Sequence, residues 1–302
     1  MRFQRPGAAR SSGECFGQKN SGFRSGMSQR WSRVGIPVLI RKILKPSTAT
    51  DNLMATTRRR AGKSKDIFEE NGKTFFEFTD RTTAFDGAKE NEFSRKGEVC
   101  CRLSTYWFEI LEKEGIPTHF RAFVPPNIME VEPLNILPIE VICRNFVAGS
   151  LLRRHERGES LPIEIEPRLG AQIPGGMVEF TTKFEAKDRP INEREILDNG
   201  WLTLDELDSI RDCTRLTNRI MSERLLKRGI ILADFKIEFG RDKNAAEKIL
   251  LADEVGTPDG CRFWDRDAYE QGVIESLDKD VYRYDKGDLS DVYLHIQRRI
   301  CE

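Results

Sequence analysis

"ILADFKIEFG" at residues 231–240 and "ILLADE" at residues 249–254 decide how the rest of the chain reads. Alternate side chains of a strand share a face. Phe235, Ile237 and Phe239 therefore point one way, and Asp234, Lys236 and Glu238 the other. The second run is apolar up to Ala252 and then ends in Asp253 and Glu254. Two readings fit. An antiparallel sheet with one solvated face carries such charges without special meaning. A metal–nucleotide site uses the same residues differently. Mg²⁺ takes hard oxygen ligands, usually one or two carboxylates plus substrate phosphates, so Glu238 and Asp253 would supply the carboxylates and Lys236 would meet a phosphate.

Outward from this hairpin, a long helix is expected over about 204–228. Thr203 and Glu206 stand at capping-box spacing, and Gly229 sits where a C-terminal glycine belongs. "KDIFEENGKTFFEFTD" (65–80) holds two β-rich runs around Asn71–Gly72, a strong hairpin signal. Val99, Leu103, Tyr106, Trp107, Ile110 and Leu111 recur at helical spacing, and Gly115 with Pro117 ends that helix. "ILPIEVICRNFVAGSLLRR" (136–154) reads as a strand passing into a Gly-Ser turn and a basic segment, and a last helix is expected over about 289–299. Strands cluster with helices between them, which makes the fold class α+β.

The chain has 302 residues, 38% hydrophobic and 32% charged, with no formal net charge. The charge is uneven: residues 1–50 hold ten Lys/Arg and one acid, Glu14, which leaves 39 − 48 = −9 for the remainder. An acidic body argues against nucleic acid as the partner, because phosphate backbones need a basic footprint. No apolar run approaches the roughly 20 residues of a membrane span. Seven cysteines without a C-x-x-C pair and three scattered histidines form no zinc motif and fit reduced thiols in a cytosolic protein. Residues 1–53 read as a basic extension: a transit peptide, a disordered tail or an overlong start, with Met27 or Met54 as the true one. Location is expected to be cytoplasmic, or organellar if the extension is a transit peptide. Oligomeric state is left open, a homo-oligomer included.

Several segments carry candidate chemistry. In "RRAGKSKDIF" (59–68), Gly62 permits a close backbone approach, and Lys63 and Lys65 enter a strand. They suit a nucleotide's phosphates, or equally an edge strand guarded against aggregation. "FTDRTTAFDG" (78–87) crowds Asp80, Arg81 and Asp86 into one turn, which serves either as a plain turn or as a docking place. Arg144 follows an apolar run, and Gly149–Ser150 offers amides and a hydroxyl. These residues fit an anion nest, or a structural salt bridge and a helix cap. Lys183, Glu185, Lys187 and Asp188 alternate as in a solvated strand, and "PDGCRFWD" (258–265) places Arg262 just past the acidic strand end. Together these make a basic pocket, an acidic pair and glycine turns, as an enzyme using Mg-ATP on a phosphorylated anion requires.

"GKSKDIF", "FTDRTTAFDG", "KGEV", "EGIPTHF", "EVICRNFVAGSLLRR", "TTKFEAKD", "LADFKIEFG", "LLADE" and "PDGCRFWD" occur in an order and spacing that resembles the SAICAR synthetase (phosphoribosylaminoimidazole-succinocarboxamide synthase) family, from about Gly62 to the last helix. Cys100, Cys101 and Thr257 stand where other residues are more usual. The resemblance implies a β-rich lobe over 54–137 and a larger α+β lobe over 138–302, with ATP in the cleft between them. It implies ligation of L-aspartate to phosphoribosyl-aminoimidazole carboxylate with ATP and Mg²⁺, in purine biosynthesis. It places Gly62, Lys63 and Lys65 over ATP, and Glu238 and Asp253 on Mg-ATP. Lys236, Asp234 and Asp86 fall to catalytic roles in the cleft. Arg144, Ser150 and Arg262 fall on the imidazole nucleotide's phosphate, and Asp278, Lys279, Arg283, Lys183 and Asp188 on further substrate contacts. The competing readings are another ATP-dependent carboxylate–amine ligase, a small-molecule kinase with the same cleft, and a binding module that uses the basic leader.

Overall fold

The computed structural model describes residues 58–84, 89–243 and 248–302. The expected extension 1–53 and Asp86 lie outside these residues. The Asn71–Gly72 hairpin is formed: both residues have positive φ, 52° and 74°, which a two-residue type I′ turn requires. After β1 (Arg58–Ala61), this turn joins β2 (Lys65–Glu70) to β3 (Lys73–Phe78). A two-stranded ribbon follows, β4 (Arg81–Ala84) with β5 (Lys89–Glu92), then helix α1 (Lys96–Lys113). The N-terminus of α1 is capped from a distance. The Asp80 carboxylate accepts from the backbone amides of Arg95 (3.2 Å) and Gly97 (2.9 Å), which would otherwise lack helical partners. Helix capping therefore accounts for Asp80 of the crowded "FTDRTTAFDG" turn. Strands β6 (Phe120–Val124) and β7 (Ile128–Val131) complete an antiparallel sheet in the order β1-β2-β3-β7-β6.

The second sheet begins with β8 (Leu134–Phe146). Leu134, Asn135 and Ile136 already pair across to residues 240–242, so the expected boundary at 137/138 falls inside a strand. After α2 (Gly149–Glu156) come β9 (Gln172–Thr182), β10 (Pro190–Ile191) and α3 (Glu193–Asp198). Helix α4 (Leu204–Lys227) realises the capping box: Thr203 Oγ1 accepts from Glu206 N, and the Glu206 side chain accepts from Thr203 N. Gly229 takes φ 70° and releases the chain into β11 (Ile230–Asp242). Strand β12 (Ile249–Ala252) and β13 (Cys261–Asp265) both pair with β11, giving the order β10-β9-β8-β11-β12 with β13 beside β11. Short helices α5 (Arg266–Glu270) and α6 (Asp280–Arg283) lead to α7 (Leu289–Cys301).

Phe235, Ile237 and Phe239 are each 1% exposed, and they belong to one apolar cluster with Phe76 and Phe78 of the first sheet and Leu103, Trp107 and Phe108 of α1. The sheets are also stitched by backbone: Leu251 N donates to Pro117 O and His119 N to Leu251 O, each at 3.0 Å. The core thus takes one face of β11, and the other is left to build the site. The six cysteines among the described residues are free thiols. Among those residues no helix is long and apolar enough to cross a membrane.

Candidate active site

The face of β11 bearing Asp234, Lys236 and Glu238 floors a cleft of about 650 Å³. It is no ordinary solvated face, because Asp234 and Glu238 are each only 4% exposed. Register with β8 sets Asp234 opposite Arg144, Lys236 opposite Ile142 and Glu238 opposite Glu140. Two carboxylates directly opposed repel, and lysines relieve them. Lys236 Nζ bonds Glu140 and lies 3.7 Å from Glu238, while Lys183 Nζ is 2.5 Å from Glu238. Beyond the end of β12, Lys65 Nζ sits 2.9 Å from both Asp253 Oδ1 and Glu254 Oε1.

Burial and the Asp253 charge together push the Glu238 carboxyl up to about 6. Burial would raise Asp253 as well, but Lys65 and Lys183 outweigh it and hold that carboxyl below its ordinary value. These are two hard-oxygen donors that feel each other's charge, with ammonium groups supplying the missing positive charge. The pair fits a divalent ion that completes its shell with a ligand's phosphates. It does not fit an ion held by protein alone, since no group of three or more such ligands occurs among the described residues.

The other end of the cleft is built from arginine. Arg144, 2% exposed, donates from Nε to Glu179 (2.7 Å), from Nη1 to Asp234 (3.1 Å) and from Nη2 to Ser150 Oγ (2.8 Å). Ser150 thus accepts from Arg144, and the N-cap position of α2 belongs to Ala148. Arg262 faces Asp234 across β13 and β11, and bonds both Asp234 (2.8 Å) and Asp280 (3.0 Å). Arg283 and Arg154 add to Asp280 and Glu179. Arg154 also pairs with Glu159, to which Arg157 adds, so five guanidinium groups on four carboxylates leave one positive charge in surplus, which suits an anionic group.

Gly62, Lys63, Asp188 and Lys279 also line the cleft. Asp278 does not. It is fully buried behind the wall, and its carboxylate accepts from the backbone amides of Phe263 (2.8 Å) and Asp280 (2.7 Å), which shapes the turn rather than meeting a ligand. Asp86 falls outside the described residues. Sequence reasoning missed Glu140, Glu179 and Asp259. The first two share strand faces with Arg144 and Lys183 by simple alternation, and Asp259 lies in the segment read only for Arg262. A smaller hollow of about 360 Å³ lies among α1, α4 and α7, but its charged groups stand on exposed helix faces. On the cleft floor Arg144, Asp234 and Glu238 are buried and paired, so the cleft is the candidate site.

Two antiparallel sheets, with a floor of alternating lysine and carboxylate and an arginine-rich end, define a class: α+β enzymes that bind a nucleoside polyphosphate beside a second anionic substrate. The family profile described as SAICAR synthetase matches residues 58–300. The chain belongs to the SAICAR synthetase family. It is 42% identical over 241 residues to the phosphoribosylaminoimidazole-succinocarboxamide synthase of Pyrococcus abyssi, covering 79% of this chain and 95% of that one. The synthase of the same name from Listeria innocua is 38% identical over 242 residues, with 79% and 94% covered. Among solved structures, a SAICAR synthetase in complex with ADP superposes with a TM-score of 0.72 at 41% identity, over 80% of this chain and 97% of that one. The synthase from Ehrlichia chaffeensis gives the same TM-score at 31% identity and the same coverage.

Proposed function

We propose that the chain is an ATP-dependent carbon–nitrogen ligase of purine biosynthesis. It joins L-aspartate to phosphoribosyl-aminoimidazole carboxylate, giving the succinocarboxamide, ADP and phosphate. The observation that carries the reading is the Glu238–Asp253 pair on the cleft floor, ringed by Lys65, Lys183 and Lys236. The ADP complex of a relative supports a nucleotide there.

A carboxylate resists an amine because its leaving group would be oxide. Transfer of the γ-phosphoryl group to a carboxylate oxygen releases ADP and makes an acyl phosphate. The aspartate amine then forms the C–N bond, loses its proton, and phosphate departs with the C–O electron pair. Phosphoryl transfer of this kind is mostly positioning and charge neutralisation, which matches a cleft with no histidine or cysteine among its described lining residues. Gly62, Lys63, Lys65 and Lys236 serve the nucleotide phosphates. Glu238 and Asp253 would hold Mg²⁺, which supplies further neutralisation of the phosphates. The surplus charge of the Arg144–Asp234–Arg262 network, with Ser150 and Arg283, serves the phosphate of the imidazole nucleotide. Lys183 and Asp188, which line the same cleft, serve further substrate contacts, and Asp86 is assigned a catalytic role with Lys236 and Asp234. Asp278 keeps only its role in the turn. The lobes expected over 54–137 and 138–302, whose division falls within β8, bound the cleft, and the enzyme works in the cytoplasm on small molecules.

A coupled ADP-release assay tests the reading. Release is expected only when the imidazole carboxylate and L-aspartate are both present, and it should survive removal of residues 1–53. Turnover with glutamate, or with no amine, would instead favour a different ligase or a kinase.

A further inference from the structure

Lys96 has no place in the reading above, yet its surroundings are costly. It is 1% exposed and is the first residue of α1. A buried ammonium loses its hydration, and a cation at a helix N-terminus opposes the macrodipole. Lys96 Nζ lies 2.5 Å from Asp259 Oδ2 and donates to the Arg81 carbonyl at 3.0 Å. The other Asp259 oxygen accepts from Tyr293 of α7 at 2.8 Å, and Lys279 Nζ stands 3.5 Å from it. Asp259 and Lys279 line the cleft, and Lys96 and Tyr293 stand behind it.

Two ammonium groups thus compete for one carboxylate, and the hidden one holds it. At 3.5 Å the Asp259–Lys279 contact is outside ordinary N–H···O hydrogen-bond range, so Asp259 does not consume the donors of Lys279. The trio sums to one positive charge. Burial lowers the pKa of Lys279, and Lys96 pushes in the same direction against the pull of Asp259.

We propose that Lys96 is a positioning residue for the ligase reaction: by occupying Asp259 it leaves the Lys279 ammonium free to face an anionic substrate in the cleft. This rests on the function proposed above. Without Lys96, the buried Asp259 carboxylate has Lys279 as its nearest ammonium and draws it back from the cleft.

The test is a double-variant cycle on the full chain, read as KM and kcat for each substrate. Lys279→Met should raise the KM of one anionic substrate about tenfold in the wild-type background, and less than about twofold in Lys96→Met, where Lys279 is already withdrawn. Equal factors in both backgrounds, or no effect of Lys279→Met in the wild type, overturn the proposal. A purely structural role for Lys96 moves melting temperature without this coupling. Should Lys96→Met not fold, Lys96→Met/Asp259→Asn removes both buried charges together. There the Lys279→Met factor should return to its wild-type size, and its loss overturns the proposal. A wild-type chain that releases no ADP with both substrates would instead defeat the ligase reading itself.

Discussion

Asp253 brings its carboxylate to the Glu238 side of the sheet although regular pairing would turn it the other way. Glu238 lies opposite Ala252, so the next residue of β12 would face Ile237, whose side chain is in the core. At Asp253 the backbone instead takes φ 64°, the strand ends, and the carboxylate enters the cleft beside Lys65. A left-handed conformation costs a non-glycine residue roughly 1 kcal/mol or more, and aspartate is among those that tolerate it best. The turn brings this carboxylate close enough for its charge to be felt by Glu238.

Glu238→Gln and Asp253→Asn each preserve shape and remove one negative charge. If the pair holds the metal of Mg-ATP, each should lower kcat by about a hundredfold, the scale of a lost transition-state charge contact near 3 kcal/mol. Steady-state ADP release in saturating substrates measures this. Rates near wild type for both variants would return the face to ordinary sheet surface.

Arg144→Ala has two expected effects. Its guanidinium already serves Glu179, Asp234 and Ser150, so truncation leaves buried carboxylates short of a partner. Breaking such a network costs about 3 kcal/mol, the low end for a buried pair, because Arg154 and Arg262 still hold Glu179 and Asp234. Urea denaturation should show the midpoint falling, and the KM of the imidazole nucleotide should rise in the same variant. A raised KM with an unmoved midpoint would make Arg144 a ligand contact alone.

What the sequence made legible was local. The Asn71–Gly72 turn, the Thr203–Glu206 box and the alternation of β11 are patterns within a few residues, and each was realised. What it hid depended on register between distant strands. Glu140 gains meaning only because β8 lies against β11 with Glu238 opposite it. Arg144 had two open readings: the structure shows the salt bridges, and it sets the residue in the cleft lining where the anion-binding reading is proposed. Asp278 and Lys279 are neighbours in one short turn, yet one faces inward to backbone amides and the other faces the cleft, and no spacing rule separates them. The boundary expected at 137/138 falls inside β8 for a related reason. Pro138 does not end β8: its carbonyl still accepts from Lys183 N at 3.1 Å, and the ladder to β11 shifts register beside it, between Glu238 and Gly240.

Gly149 ties backbone to site. Its φ is 54°, and a Cβ there would fall 2.4 Å from the Arg262 guanidinium carbon. Arg262 cannot step aside freely, since Asp234 and Asp280 hold it from two sides. Gly149→Ala should therefore destabilise the fold by about 1–3 kcal/mol, combining left-handed strain with the displaced ion pair. It should also raise the KM of the imidazole nucleotide more than that of ATP, whose lysines lie at the other end. Equal changes in both KM values would separate Arg262 from the nucleotide's phosphate.

His119 predicts a pH dependence of stability apart from catalysis. It is 1% exposed, with the rings of Phe76 and Phe108 at 5.5 and 5.3 Å, and its Nε2 has no hydrogen-bond partner. Burial holds its pKa down to about 4, against about 6.5 in an unfolded chain. Between those values the unfolded state binds a proton that the folded state refuses. The stabilisation is thus complete above pH 6.5 and is lost as pH falls toward 4, amounting to about 2 kcal/mol by pH 5. Urea denaturation at pH 7.5 and pH 5.0 measures it. His119→Gln removes the titrating group, so the stability difference between the two pH values should shrink by about that amount. An unchanged difference would assign the acid sensitivity to other groups.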